Sequence, residues 1–124
     1  MYYPDDVKYS SEHTWAQIEG DTARIGITDF GQEQMGDVLY IDFPNVGVNI
    51  GAGEVLLEIE TSDTGQTVYS PLSGEITAIN RDVDDSPELI NEDPYGAWIV
   101  EMLLSDPDEE EDLMDADEYE EYVE

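Results

Sequence analysis

Cysteine is absent from this 124-residue chain. That removes a disulfide framework, a thiol nucleophile and a thiolate metal site, and it fits a reducing compartment. Bases are nearly absent as well. Lys8, Arg24 and Arg81 face 33 acids, giving a formal net charge of −30. Phosphate contact needs clustered Lys and Arg, so no nucleic-acid binding is expected. An anionic membrane surface is disfavoured for the same reason. With one histidine, His13, and no thiol, the chain lacks the ligand set of a transition-metal site. No apolar run approaches the ~18 residues of a bilayer span. The opening MYYPDDVKYS has no basic region followed by an apolar stretch, so no signal peptide is expected and the cytoplasm is the default location.

What is abundant is negative charge. Residues 105–124 hold 12 of the acids, and the rest are spread over residues 1–104. A salt-loving host, a partner with a basic face, or a supercharged surface would each give this composition. The acidic run at the end reads as a solvated helix face or a frayed end.

The remaining length suits one domain with one core. Its organising stretch is 54–75, EVLLEIETSDTGQTVYSPLSGE. Val55, Leu57 and Ile59 alternate with Leu56, Glu58 and Glu60, which predicts a half-buried strand with the first set inside. Val68 and Tyr69 restart a β-prone run that Pro71 stops. Ser62-Asp63-Thr64-Gly65 between them is a good turn, with Ser opening it and Asp accepting local backbone bonds. Upstream, Trp15 to Ile27 reads as a hairpin around Gly20-Asp21. Thr28 or Asp29 caps a short helix to Met35, stopped by Gly36. Val38 to Phe43 is the next strand. Downstream, a strand runs from Glu75 to Asn80. Ser86 with Pro87 starts a helical turn bearing Leu89 and Ile90, and Tyr95 to Met102 forms the last strand. Ser105 caps the acidic segment, and Asp115 with Glu118 repeats the cap pattern, placing Tyr119, Tyr122 and Val123 on one face. Many short strands with Gly and Pro turns predict a mainly β barrel or sandwich with peripheral helices.

Glu60-Thr61-Ser62-Asp63 followed by Val68-Tyr69-Ser70-Pro71-Leu72-Ser73-Gly74-Glu75-Ile76 resembles the lipoyl hairpin of the glycine cleavage system H-protein family. The resemblance extends along nearly the whole chain, through Lys8-Tyr9, His13 and Trp15, Ile25 to Thr28, Gly36-Asp37, Leu39 to Pro44, Ser86 to Asn91 and Pro94-Tyr95. It implies the barrel-sandwich hybrid fold of lipoyl and biotin carrier domains. Residues 1–104 would form that domain, with 105–124 a helical segment packed on it. It also implies a shuttle, not an enzyme: a lipoyl arm that visits the decarboxylase, aminomethyltransferase and dihydrolipoyl dehydrogenase of glycine cleavage.

One departure matters more than the match. The family carries lipoate on a lysine at the hairpin turn, and that position here is Asp63. An amide bond to lipoate needs an amine, which a carboxylate cannot supply. Three polar positions that lie near the loaded arm in the family read Glu12, Thr14 and Thr67 here. Four changes together imply a site no longer used to shelter an aminomethyl arm, so no cofactor is expected.

The other candidates read as structural. His13 has no nucleophile fixed beside it by spacing, and it reads as a structural histidine beside Trp15. The run Asp82 to Glu88 hints at calcium. Counted from Asp82, however, the glycine and glutamate positions of an EF-hand loop hold Pro87 and Asp93. The leading expectation is a monomeric, non-lipoylated binding or regulatory homologue, whose partners are glycine cleavage components or a basic-faced protein. A second is a glycine cleavage carrier whose attachment lysine has been exchanged. A third, a minor enzymatic or metal-linked role on the acidic surface, has no sheltered carboxylate pair to recommend it.

Overall fold

A computed structural model describes residues 2–124. In chain order the elements are strands β1 (Lys8–Tyr9), β2 (Thr14–Glu19) and β3 (Thr22–Ile27), helix α1 (Asp29–Met35), and strands β4 (Val38–Asp42), β5 (Asn49–Ile50), β6 (Val55–Thr61), β7 (Gly65–Tyr69) and β8 (Gly74–Ile79). Helices α2 (Arg81–Asp85) and α3 (Leu89–Glu92), strand β9 (Val100–Leu104), a 3-10 turn (Pro107–Asp112) and helix α4 (Ala116–Val123) complete the chain. The strands form two antiparallel sheets, one ordered β1-β2-β3-β9-β8-β5 and the other β4-β6-β7. They pack as a barrel-sandwich domain with short peripheral helices.

The larger sheet separates two cores because side chains alternate across it. Ala16, Ala23, Ile25 and Ile27 face the main core, with Ile41, Ile59, Leu72, Ile76, Val100 and Met102. Trp15 faces the other way, into an aromatic cluster with Val7, Tyr9, Ala116 and Tyr119. Each fully buried large side chain contributes roughly 1.5–3 kcal/mol.

Local chemistry sets several elements. Thr28 caps α1, its Oγ1 accepting the Gly31 N–H at 3.0 Å, and Gly36 ends the helix at φ 84°. Asp115 and Glu118 form a reciprocal capping box at α4.

Other local readings fail for identifiable reasons. Val55 is 51% exposed, whereas Leu56 and Leu57 are both buried. The register against β7 slips between Val55 and Leu57, so an irregularity breaks the alternation there. Ser86 is the C-cap of α2 and not an N-cap, and Asp82 to Asp85 lie in that helix, which Asn80 starts. The last strand begins only at Val100. Its predecessors turn aside so that Trp98 and Tyr95 pack on the aromatic cluster. Ser105 caps nothing; its N–H is spent on the Ser73 carbonyl.

The acidic segment packs on the body. Tyr9 and Met114 exchange two backbone hydrogen bonds of 2.8 Å. The Tyr119 ring stacks on Tyr9, with centroids 4.7 Å apart and planes 9° apart. On the 3-10 turn, Glu109 accepts from both the N–H and Oγ of Ser73, at 2.7 and 2.8 Å. Of the face read from spacing, Tyr119 is buried while Tyr122 is 55% exposed.

Candidate functional site

The β6–β7 hairpin turns at 62–64 and is built by Thr61. The Thr61 hydroxyl donates to the Thr64 carbonyl at 2.8 Å and accepts the N–H groups of Asp63 and Thr64 at 3.3 and 3.2 Å. Thr61 therefore takes the role that residue chemistry assigned to Ser62 and Asp63. The tip is tied down by the Ser62 N–H, which donates to the Asp37 carbonyl at 3.0 Å. Asp63 is exposed, and its Oδ2 would lie 3.3 Å from a Cβ built on Gly36. A side chain at position 36 would crowd this carboxylate, and Gly36 also holds a positive φ.

Beside the hairpin lies a cleft of about 190 Å³ between α1, β7 and the loop before β2. Glu12, His13 and Thr67 line it, with Gly31, Met35 and Gln66. The fold thus brings Glu12 and Thr67 together. It does not bring Thr14 to them. Thr14 is 0% exposed, with its hydroxyl 2.7 Å from Ser10 Oγ. Asp63 stands at the tip of the hairpin and is not among the residues lining the cleft.

His13 is the one non-glycine residue with positive φ among the described residues, at 68°. Its neighbours are not those read from sequence. Its ring tilts against Phe30 at 4.9 Å, and Nδ1 lies 2.8 Å from the Tyr119 hydroxyl. That hydroxyl is also 2.8 Å from Thr28 Oγ1. With His13 neutral and Nδ1 unprotonated, the chain of donors runs Thr28 to Tyr119 to His13, while Thr28 accepts from Gly31. Burial pushes the His13 pKa below its ordinary value, against an opposing pull from Glu12. Tyr119 was visible in the sequence as a helical-face aromatic. Its partner is 106 residues away, which no local pattern encodes.

Among the described residues, no group of three or more His, Asp or Glu side chains is arranged to hold a metal ion. None of their helices is long and apolar enough to cross a membrane. Lys8 sits on edge strand β1 of the larger sheet, paired with Ala16, whereas the hairpin belongs to the smaller sheet.

Two antiparallel sheets, a tied-down hairpin and a cleft at its flank define a small barrel-sandwich domain with short peripheral helices. The family model for the glycine cleavage H-protein matches residues 7–124. The chain is 44% identical over 120 residues to the glycine cleavage system H protein of Bacteroides thetaiotaomicron, covering 96% of this chain and 95% of that one. It is also 44% identical over 122 residues to that of Bacillus subtilis, covering 98% and 96%. A crystal structure of a glycine cleavage system H protein from Mycobacterium marinum superposes with a TM-score of 0.87 at 32% identity, covering 97% of this chain and 98% of the other. The chain belongs to the glycine cleavage H-protein family.

Proposed function

We propose that this chain is a non-lipoylated member of the H-protein family, acting as a cytoplasmic binding or regulatory module with no turnover of its own. The observation that carries this reading is the carboxylate of Asp63 at the hairpin apex, the position where the family resemblance places the lipoyl-lysine. Lipoate attaches through an amide, so the site must present a nucleophilic amine. An exposed carboxylate beside Gly36 does not fit that group. The only lysine, Lys8, lies in the other sheet. Glu12 and Thr67 still line a cleft, and Thr14 is turned inward, so the surroundings of the arm are altered along with its anchor.

The module works as a monomer through protein partners: the glycine cleavage components that the family serves, or a protein with a basic face. The charge of −30 favours such partners and disfavours nucleic acid and anionic membranes.

Intact mass after incubation with lipoate, ATP and a lipoate ligase tests the reading. The mass is expected to stay unchanged, and a lipoyl increment on the native chain would overturn it. Asp63→Lys probes the cleft. If that variant is loaded but accepts no aminomethyl group, the changes at Glu12, Thr14 and Thr67 disable the shelter as well. If it is loaded and accepts aminomethyl groups, the exchanged-lysine carrier is the better description.

A further inference from the structure

The C-terminal segment joins two features that are far apart in sequence. Its 3-10 turn supplies Glu109 and Asp112, and the Leu113 that ends the turn joins them, on one wall of a cavity of about 460 Å³, whose other walls include Glu12, Tyr69 and Pro71. Its helix α4 delivers Tyr119, whose hydroxyl meets both His13 at the hairpin-side cleft and Thr28 at the start of α1. The segment does this while carrying 12 acids in 20 residues. The body it docks on holds the other 21 acids and all three bases. Its contacts are mostly uncharged: the Tyr9–Tyr119 stack, the Tyr9–Met114 bridge, and the burial of Ala116 and Tyr119. The one charged anchor is Glu109 on Ser73. The one ion pair among the described residues, Arg24–Glu101 at 3.5 Å, does not involve the segment.

We propose that residues 105–124 form a latch docked against its own charge, whose closure through Tyr119 positions His13 at the cleft beside the β6–β7 hairpin. Apolar and hydrogen-bonded contacts hold the latch closed, and like-charge repulsion pushes it open. The balance therefore shifts with ionic strength, because the Debye length falls from about 30 Å at 0.01 M salt to about 3 Å at 1 M. It shifts equally with a cationic partner that covers the segment. Opening removes one wall of the larger cavity and frees the His13 ring. Tyr119 is a positioning residue here, since it acts on the cleft only through His13. The titratable groups placed around His13 are Glu12 from its own loop and Tyr119 and Tyr122 from α4. The contacts from α1 and β7 are the uncharged Phe30, Gly31, Gln66 and Thr67. The inference holds whether or not the hairpin can be lipoylated.

Hydrogen exchange on the intact chain at low and at molar sodium chloride tests the latch without any variant. The α4 amides should exchange several-fold faster, relative to those of β3 and β9, at low salt than at high salt. A constant ratio of α4 to strand exchange across that range would refute the latch, since uniform repulsion loosens both together. The positioning role is read by the His13 pKa from NMR in Tyr119→Phe, which keeps the ring and loses the hydroxyl. Loss of the hydroxyl that lies 2.8 Å from Nδ1 should shift the His13 pKa while leaving the ring's burial in place. An unchanged pKa in folded Tyr119→Phe would remove Tyr119 from that role.

Discussion

The indole of Trp15 fills the space over its cross-strand partner Gly26: a Cβ added at Gly26 would stand 2.6 Å from the ring. The indole cannot easily yield, because it is 2% exposed and its Nε1–H donates to the Pro94 carbonyl at 3.0 Å. Gly26→Ala should therefore destabilise the fold by about 1–3 kcal/mol, the usual range for overpacking. Gly65 is the control. Nothing lies within 4 Å of a Cβ there, and its φ is not in the positive region. Gly65→Ala should be neutral or stabilising, by no more than about 1 kcal/mol. Urea midpoints of the two variants at unchanged m-value make the comparison, and equal effects would contradict the packing described for Trp15.

The tyrosine cluster makes stability fall in alkali. Burial raises the pKa values of Tyr9, Tyr95 and Tyr119 above the ordinary tyrosine value, in the case of Tyr95 to about 12. The fold thus favours the protonated phenols. Their contribution is complete below about pH 10 and is lost as pH climbs from there, through about 12 for Tyr95 and higher still for Tyr9 and Tyr119. Denaturation midpoints should decline over that window, and tyrosinate absorbance from the cluster should rise together with loss of the near-UV circular dichroism. Ionisation of all three with that signal intact would show that the cluster is open to solvent.

Salt should raise the melting temperature. A chain of −30 with one ion pair among its described residues has little internal compensation for its repulsion. At 0.1 M salt, with a Debye length of about 10 Å, screening is only partial. Thermal scans from low to molar sodium chloride should move upward throughout. A flat or falling series would mean that the acids are spaced widely enough not to matter.

How far the sequence could be read depended on the range of the forces involved. Helix α1 was legible because Thr28 and Gly36 act within one turn of the backbone. The hairpin and a mainly β barrel or sandwich were legible from alternation and punctuation, and the barrel-sandwich hybrid from the family resemblance. The misreadings have tertiary causes. Val55 turns outward because the ladder slips at Leu56, and a register shift leaves no mark on composition. By contrast, the run from Asp82, which fails the calcium-loop pattern in sequence, lies in a helix that the adjacent Asn80 caps and that buries Val83. Of the candidate site, the placement of Glu12 and Thr67 at one cleft, the inward turn of Thr14 and the union of His13 with Tyr119 all depend on strand order and on the docking of α4. Neither is local information.

The position of Lys8 has a practical corollary. A chain with one ε-amine offers acylating enzymes and amine-selective reagents a single side-chain address, and that address is partly exposed on a sheet edge. A fluorophore coupled there would mark one known strand and leave the hairpin, the cleft and the acidic segment chemically untouched. The molecule thus offers a single lysine for tagging, distinct in basicity from a free α-amine, without a designed handle.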